Sequence, residues 1–122
     1  MKRDMDLIRE LLLAIERDER MDGVSKWQFD GPDDFGVPEC SYQEAVYHLE
    51  LLIENGFIKG TATMQMPLLS GLTWDGHEFL DAVRDPDVWS KTKQRVSGIS
   101  SVGFSFLWEI AKSEIKVKLG LP

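Results

Sequence analysis

The stretch SYQEAVYHLELLIENGFIKG, Ser41–Gly60, decides how this chain is read. Ser41 with Glu44 three residues on is the capping-box pattern that satisfies the first free amides of a helix. Tyr42, Ala45, Val46, Leu49, Leu52 and Ile53 then recur at the spacing of one helical face. Asn55-Gly56 supplies a left-handed stop, and from Phe57 the helical spacing ends. FIKGTATMQM and LLSGLT, either side of Pro67, read as two strands of a hairpin. Thr73 then caps a third helix with Gly76, Phe79, Leu80 and Val83 on its inward face. Glycine inside a helix costs roughly 1 kcal/mol, so Gly76 there predicts a close approach of backbone to backbone.

Working outward, Asp4 or Asp6 caps a first helix that places Leu7, Ile8, Leu11, Leu12, Ala14 and Ile15 on one face. Asp18 and Glu19 would land on that apolar stripe, so the helix should end near Asp18. VSKWQF (Val24–Phe29) is a short β-prone run. DGPDDFGVPE (Asp30–Glu39) holds two prolines and two glycines and admits no more than a single turn. Downstream, Asp85-Pro86 ends one helix and starts another carrying Val88, Trp89, Thr92 and Val96. SGISSVG (Ser97–Gly103) reads as a linker, and Phe104–Leu119 as a last amphipathic helix. The expectation is a mainly α chain with a small β-hairpin, of the α+β class. Residues 1–84 are read as a winged helix-turn-helix-like domain and residues 85–122 as a C-terminal helical extension. A generic small α+β domain is the alternative, because Asp30–Glu39 is short for the usual middle helix.

At 122 residues the chain suits one domain, or one domain with a terminal extension, and not two full cores. Its 43% hydrophobic and 29% charged residues exclude wholesale disorder. A single cysteine, Cys40, excludes an internal disulfide and a multi-thiolate zinc site, which fits a reducing compartment. MKRDMDLIRE has no apolar leader core, and no apolar run is long enough to span a bilayer. A cytoplasmic protein without a membrane segment is therefore expected.

Candidate chemistry is sparse. His48 and His77 could join Asp75, Glu78 or Cys40 as a metal or acid–base site, but no HExxH or CxxC spacing supports it. The plainer reading is two boundary histidines with local hydrogen bonds. No nucleophile elbow or phosphate loop is present. Cys40 precedes a helix N-terminus that could activate it, and the neighbouring Glu39 and Glu44 oppose this. Hence no enzyme, cofactor or metal is expected.

The second helix presents Gln43, Glu44, Tyr47, Glu50, Leu51 and Glu54 opposite its apolar stripe. Three carboxylates there repel the phosphates a DNA-reading helix must meet. Tyr47 and Leu51, one turn apart within acids, have the form of anchors in a protein-binding patch, so Glu44, Tyr47, Glu50, Leu51 and Glu54 are the expected partner-binding residues. A surface pair that merely stabilises its helix is the alternative. Net charge is −7, yet the sequence is asymmetric: acids outnumber bases more than two to one through residue 90, and bases dominate afterwards. Lys91, Lys93, Arg95, Lys112 and Lys116 could thus contact nucleic acid in a rival reading, a dimeric transcriptional regulator. The last helix is apolar over more than one face. Phe104, Leu107, Trp108, Ala111 and Ile115 are expected to hold a homodimer, with core packing or a membrane surface as alternatives. The favoured function is a non-enzymatic regulator or adaptor that docks an unknown protein partner through the acidic face.

Three segments, MKRDMDLIRELLLAIE, SYQEAVYHLELLIENGFI and LTWDGHEFLDAVRDPDVWSKTK, closely resemble a bacterial and phage family known as domain of unknown function 2513. The resemblance covers nearly the whole chain, and LTWDGHEFLDAVRD is its most specific part. It implies a winged-helix-like fold and a home in bacteria, prophages or mobile elements. It brings no catalytic residues with it.

Overall fold

The structure is a computed structural model that describes residues 1–37, 39–64, 66–99 and 103–122. Two units make up the chain, Met1–His77 and Glu78–Pro122. Five α-helices and a three-stranded antiparallel sheet among the described residues place it in the α+β class.

In the first unit, helix α1 (Met5–Arg17) starts where expected. The Asp4 carboxylate accepts from the amides of Asp6 and Leu7 at 3.0 and 3.2 Å, closing two of the free donors of the first turn. Leu7, Ile8, Leu11, Leu12, Ala14 and Ile15 are all buried. The large members of such a stripe each contribute roughly 1.5–3 kcal/mol of burial, the main force holding α1 down. The helix stops at Asp18, whose carboxylate turns to Arg20 instead of the core.

Strand β1 is only Trp27–Gln28, shorter than the β-prone run. Asp22 explains the difference, because its carboxylate accepts from the Val24 and Ser25 amides at 2.8 and 2.7 Å and bends that backbone into a turn. Pro32–Phe35 forms the single turn, of 3-10 type. Helix α2 (Tyr42–Glu54) has both capping-box bonds, Ser41 N to Glu44 Oε1 and Glu44 N to Ser41 Oγ, each 3.1 Å. It ends in a Schellman closure: Gly56, at φ 77°, donates to Ile53 and Phe57 donates to Leu52.

Strands β2 (Ile58–Thr61) and β3 (Leu68–Leu72) form the hairpin, and β3 is central in the order β1-β3-β2. Ile58 faces Leu72, and a bulge separates Lys59 from Gly60. The first strand is shorter than FIKGTATMQM. The Thr63 hydroxyl folds onto Met66, accepting from its amide at 3.0 Å, and this local turn replaces ladder pairing. Residue 65 lies outside the described residues. Helix α3 (Trp74–Val83) begins at Thr73, whose hydroxyl accepts from the Gly76 amide at 3.0 Å.

The second unit contains the end of α3, helix α4 (Pro86–Val96) and helix α5 (Phe104–Lys118). Asp85 caps α4 through the Asp87 and Val88 amides, with Pro86 at the first helical position. Helices α4 and α5 pack on one another. Phe79 is fully buried, with the Phe104 ring 4.2 Å away and the Trp108 ring edge-on at 5.7 Å. Of the expected linker Ser97–Gly103, residues 100–102 lie outside the described residues.

Candidate functional site

In the first unit, the opening turns of α1, the start of α2 and the segment leading into α2 wall a cleft of about 470 Å³. Asp4, Asp6 and Glu10 line it from the α1 side, Glu39 and Glu44 from the other, with Leu7, Val37 and Cys40 between them. No lysine or arginine is among the described lining residues. Arg9 engages Glu10 at 3.3 Å. Asp4 caps α1, and Glu44 completes the capping box of α2. Five carboxylates in one concavity make a field that attracts cations and repels polyanions.

Cys40 shows how this field acts. Its thiol donates to the Val37 carbonyl at 3.7 Å. Burial, and then the charges of Glu44 and Asp4, push the thiol above its ordinary range. A helix N-terminus alone would have the reverse effect. The thiol is thus held in its protonated, poorly nucleophilic form.

His48 departs from the expected boundary position. It is 1% exposed, and its hydrogen bonds are not confined to its own neighbourhood. Its Nε2 accepts from the Asp4 amide at 2.8 Å, across 44 residues, while Nδ1 lies 2.7 Å from the Glu44 carbonyl. Together the two partners assign the tautomer, with the proton on Nδ1 and a lone pair on Nε2. Neither nitrogen is left for a metal. At 100° per residue His48 falls on the flank of the stripe, 40° beyond Leu52, so periodicity alone leaves it at the boundary. His77 is half-exposed, 4.0 Å from Glu16. Among the described residues no cluster of three or more His, Cys, Asp and Glu side chains could hold a metal ion.

The expected partner-binding face is only partly open. Glu54 is exposed, whereas Glu44, Tyr47, Glu50 and Leu51 are half-buried. The Tyr47 ring packs edge-on against His48 at 5.3 Å, which takes up part of the surface an anchor would offer. The structure also brings Asp4, Asp6, Glu10 and Glu39 beside Glu44, which sequence spacing did not reveal because they come from separate segments.

In the second unit, the face of α5 expected to hold a second copy is largely taken up inside the chain. Leu107 and Ala111 are buried, Phe104 and Trp108 are half-buried and lie on Phe79, and Ile115 is half-buried. The apolar groups left exposed on and after α5 are Phe106, Val117, Leu119 and Leu121. Most of the cations proposed for nucleic acid also have internal partners. Lys91 pairs with Asp87, Arg95 with Glu114 and Lys112 with Glu109, while Lys93 and Lys112 lie over the rings of Trp89 and Trp108. Lys116 is exposed. No described helix is long and apolar enough to cross a membrane.

A family model described as Hypothetical protein (DUF2513) matches residues 2–103, ending one residue before α5. An uncharacterized protein of Haemophilus influenzae (strain ATCC 51907 / DSM 11121 / KW20 / Rd) is 34% identical over 104 residues, which covers 82% of each chain. No solved structure matches. The chain belongs to the DUF2513 family.

Proposed function

We propose that this protein is a non-enzymatic adaptor or regulator that binds a basic segment of a protein partner at the acidic surface around the start of α2. The observation that carries the reading is the cleft lined by Asp4, Asp6, Glu10, Glu39 and Glu44. Lysine or arginine side chains are the groups such a concavity attracts, and a protein segment can present several of them at once. Glu50 and Glu54 extend the same sign of charge along α2. A winged-helix arrangement of the first unit is part of this proposal. Its support is the element order helix, strand, single turn, helix, hairpin, and the sheet order β1-β3-β2. In such an arrangement α2 takes the place of the helix that commonly reads DNA, and its carboxylates turn that helix toward a cationic partner.

The test is a titration of the full chain with a synthetic arginine-rich peptide, followed by NMR and repeated with duplex DNA. The expected result is salt-sensitive peptide binding that moves resonances of residues 4–10 and 36–44. Asp6→Asn with Glu39→Gln should weaken it, and DNA should produce no shift. Duplex binding that moves Lys93, Arg95 and Lys116 instead would overturn the proposal in favour of a DNA-binding regulator.

A further inference from the structure

His48 bonds both walls of the cleft. Nε2 takes the Asp4 amide proton on the α1 wall, and Nδ1–H gives to the Glu44 carbonyl on the α2 wall. The ring is itself 1% exposed, so its two nitrogens are committed to these partners. The ring can hold this bridge only while Nε2 keeps its lone pair. A second proton would set an N–H against the N–H of Asp4.

We propose that His48 is a proton-sensitive tie: neutral, it holds the start of α1 against the start of α2, and on protonation it releases Asp4 and loosens the acidic cleft. Charged and titratable groups on the elements that meet there include Asp4, Asp6, Arg9 and Glu10 of α1 and its cap, Glu39 and Cys40 of the intervening segment, and Glu44 and Tyr47 of its own helix. Histidine is the side chain whose ordinary ionisation falls near neutral pH. Release is confined to the first turn of α1, because Leu11, Leu12 and Ile15 remain buried whatever the ring does. The consequence for partner binding rests on the reading of the cleft given above; the tie itself needs no ligand.

The experiment follows the 15N-labelled full chain by NMR from about pH 8 to pH 5, the range in which histidine ordinarily titrates. It reads the ring nitrogens of His48 together with the amides of Asp4, Asp6 and Leu7. Nε2 is expected to be unprotonated at the alkaline end. As it takes up a proton, exchange protection of the three amides should fall about tenfold, the scale of one lost hydrogen bond. The Leu49 and Leu52 amides should keep theirs. His48→Gln, whose side-chain carbonyl can accept from Asp4 at any pH, should show protection that does not change with pH. Should that variant fail to fold, the wild-type titration still decides. Ring protonation without change at the three amides, or a ring that stays neutral until the whole chain unfolds, overturns the tie. Titrating the arginine-rich peptide at neutral pH separates the two proposals: loss of protection on acidification with no peptide binding removes the partner reading and leaves the tie standing.

Discussion

Gly76 lies so close beneath Phe57 that a Cβ at residue 76 would fall 2.0 Å from the Phe57 carbonyl oxygen. The obstacle is backbone, anchored on the other side by the Thr73 amide, which donates to the same oxygen at 3.2 Å. Nothing at that point can rotate away. The start of α3 therefore seats against the turn between α2 and β2 only with glycine at this position.

Gly76→Ala is expected to destabilise the protein by about 1–3 kcal/mol, the usual cost of overpacking a filled site. Alanine's better helix propensity, worth roughly 1 kcal/mol, works the other way and is outweighed. Urea unfolding measures the difference. A variant as stable as the parent would show that α3 and Phe57 do not approach as described.

Tyr42→Phe should act in the opposite direction. The Tyr42 ring stacks near Phe29 with centroids 6.0 Å apart, and its buried hydroxyl has no hydrogen-bond partner among the described residues. An unsatisfied buried hydroxyl costs about 1–3 kcal/mol. Removing it while keeping the ring should raise the urea midpoint. A lower midpoint would mean that the hydroxyl is bonded in solution.

The pairing of Asp85 with Lys118 gives the second unit an acid-sensitive contact. The Lys118 ammonium, 2.7 Å from Asp85 Oδ2, and then the Val88 and Asp87 amides hold this carboxyl below its ordinary range. A depressed carboxyl contributes stability above its unfolded pKa, about 3.9 for aspartate, and loses it as pH falls through the lower folded value. Asp85→Ala should lower the melting temperature at neutral pH, and the gap from the parent should close only on acidification below pH ~4. Both side chains are well exposed, so added salt should narrow the gap by weakening the ion pair. A gap unchanged to strongly acid pH would mean that the charge on Asp85 plays no part.

Cys40 should react slowly with iodoacetamide near neutral pH, because burial and then the Glu44 and Asp4 charges suppress its thiolate. Glu44→Gln keeps a capping-box side chain while removing one of those charges, so it should raise the rate without unfolding α2. The burial contribution remains, so the rate should stay below that of an unstructured cysteine peptide. A faster reaction in the parent than in that peptide would contradict the described environment.

Periodicity and punctuation were enough to read the helices. The stripe from Leu7 to Ile15, the Ser41–Glu44 box, the Asn55-Gly56 stop and the Asp85-Pro86 restart all act within a few residues, so their physics is written in adjacent letters. Gly76 was legible for the same reason: an interior glycine on a buried face is costly unless backbone must come close. Strand lengths were less legible, because Asp22 and Thr63 compete locally for the backbone donors that pairing would use. The acidic cleft and the His48 bridge were decided by tertiary structure alone. Asp4 and His48 are 44 residues apart, and no sequence spacing indicates that an amide from one helix cap will find a lone pair on another helix. The face of α5 was likewise visible as apolar, but only folding determined that Phe104 and Trp108 would meet Phe79. An apolar stripe fixes that a surface must be covered, and the geometry of the whole chain selects what covers it.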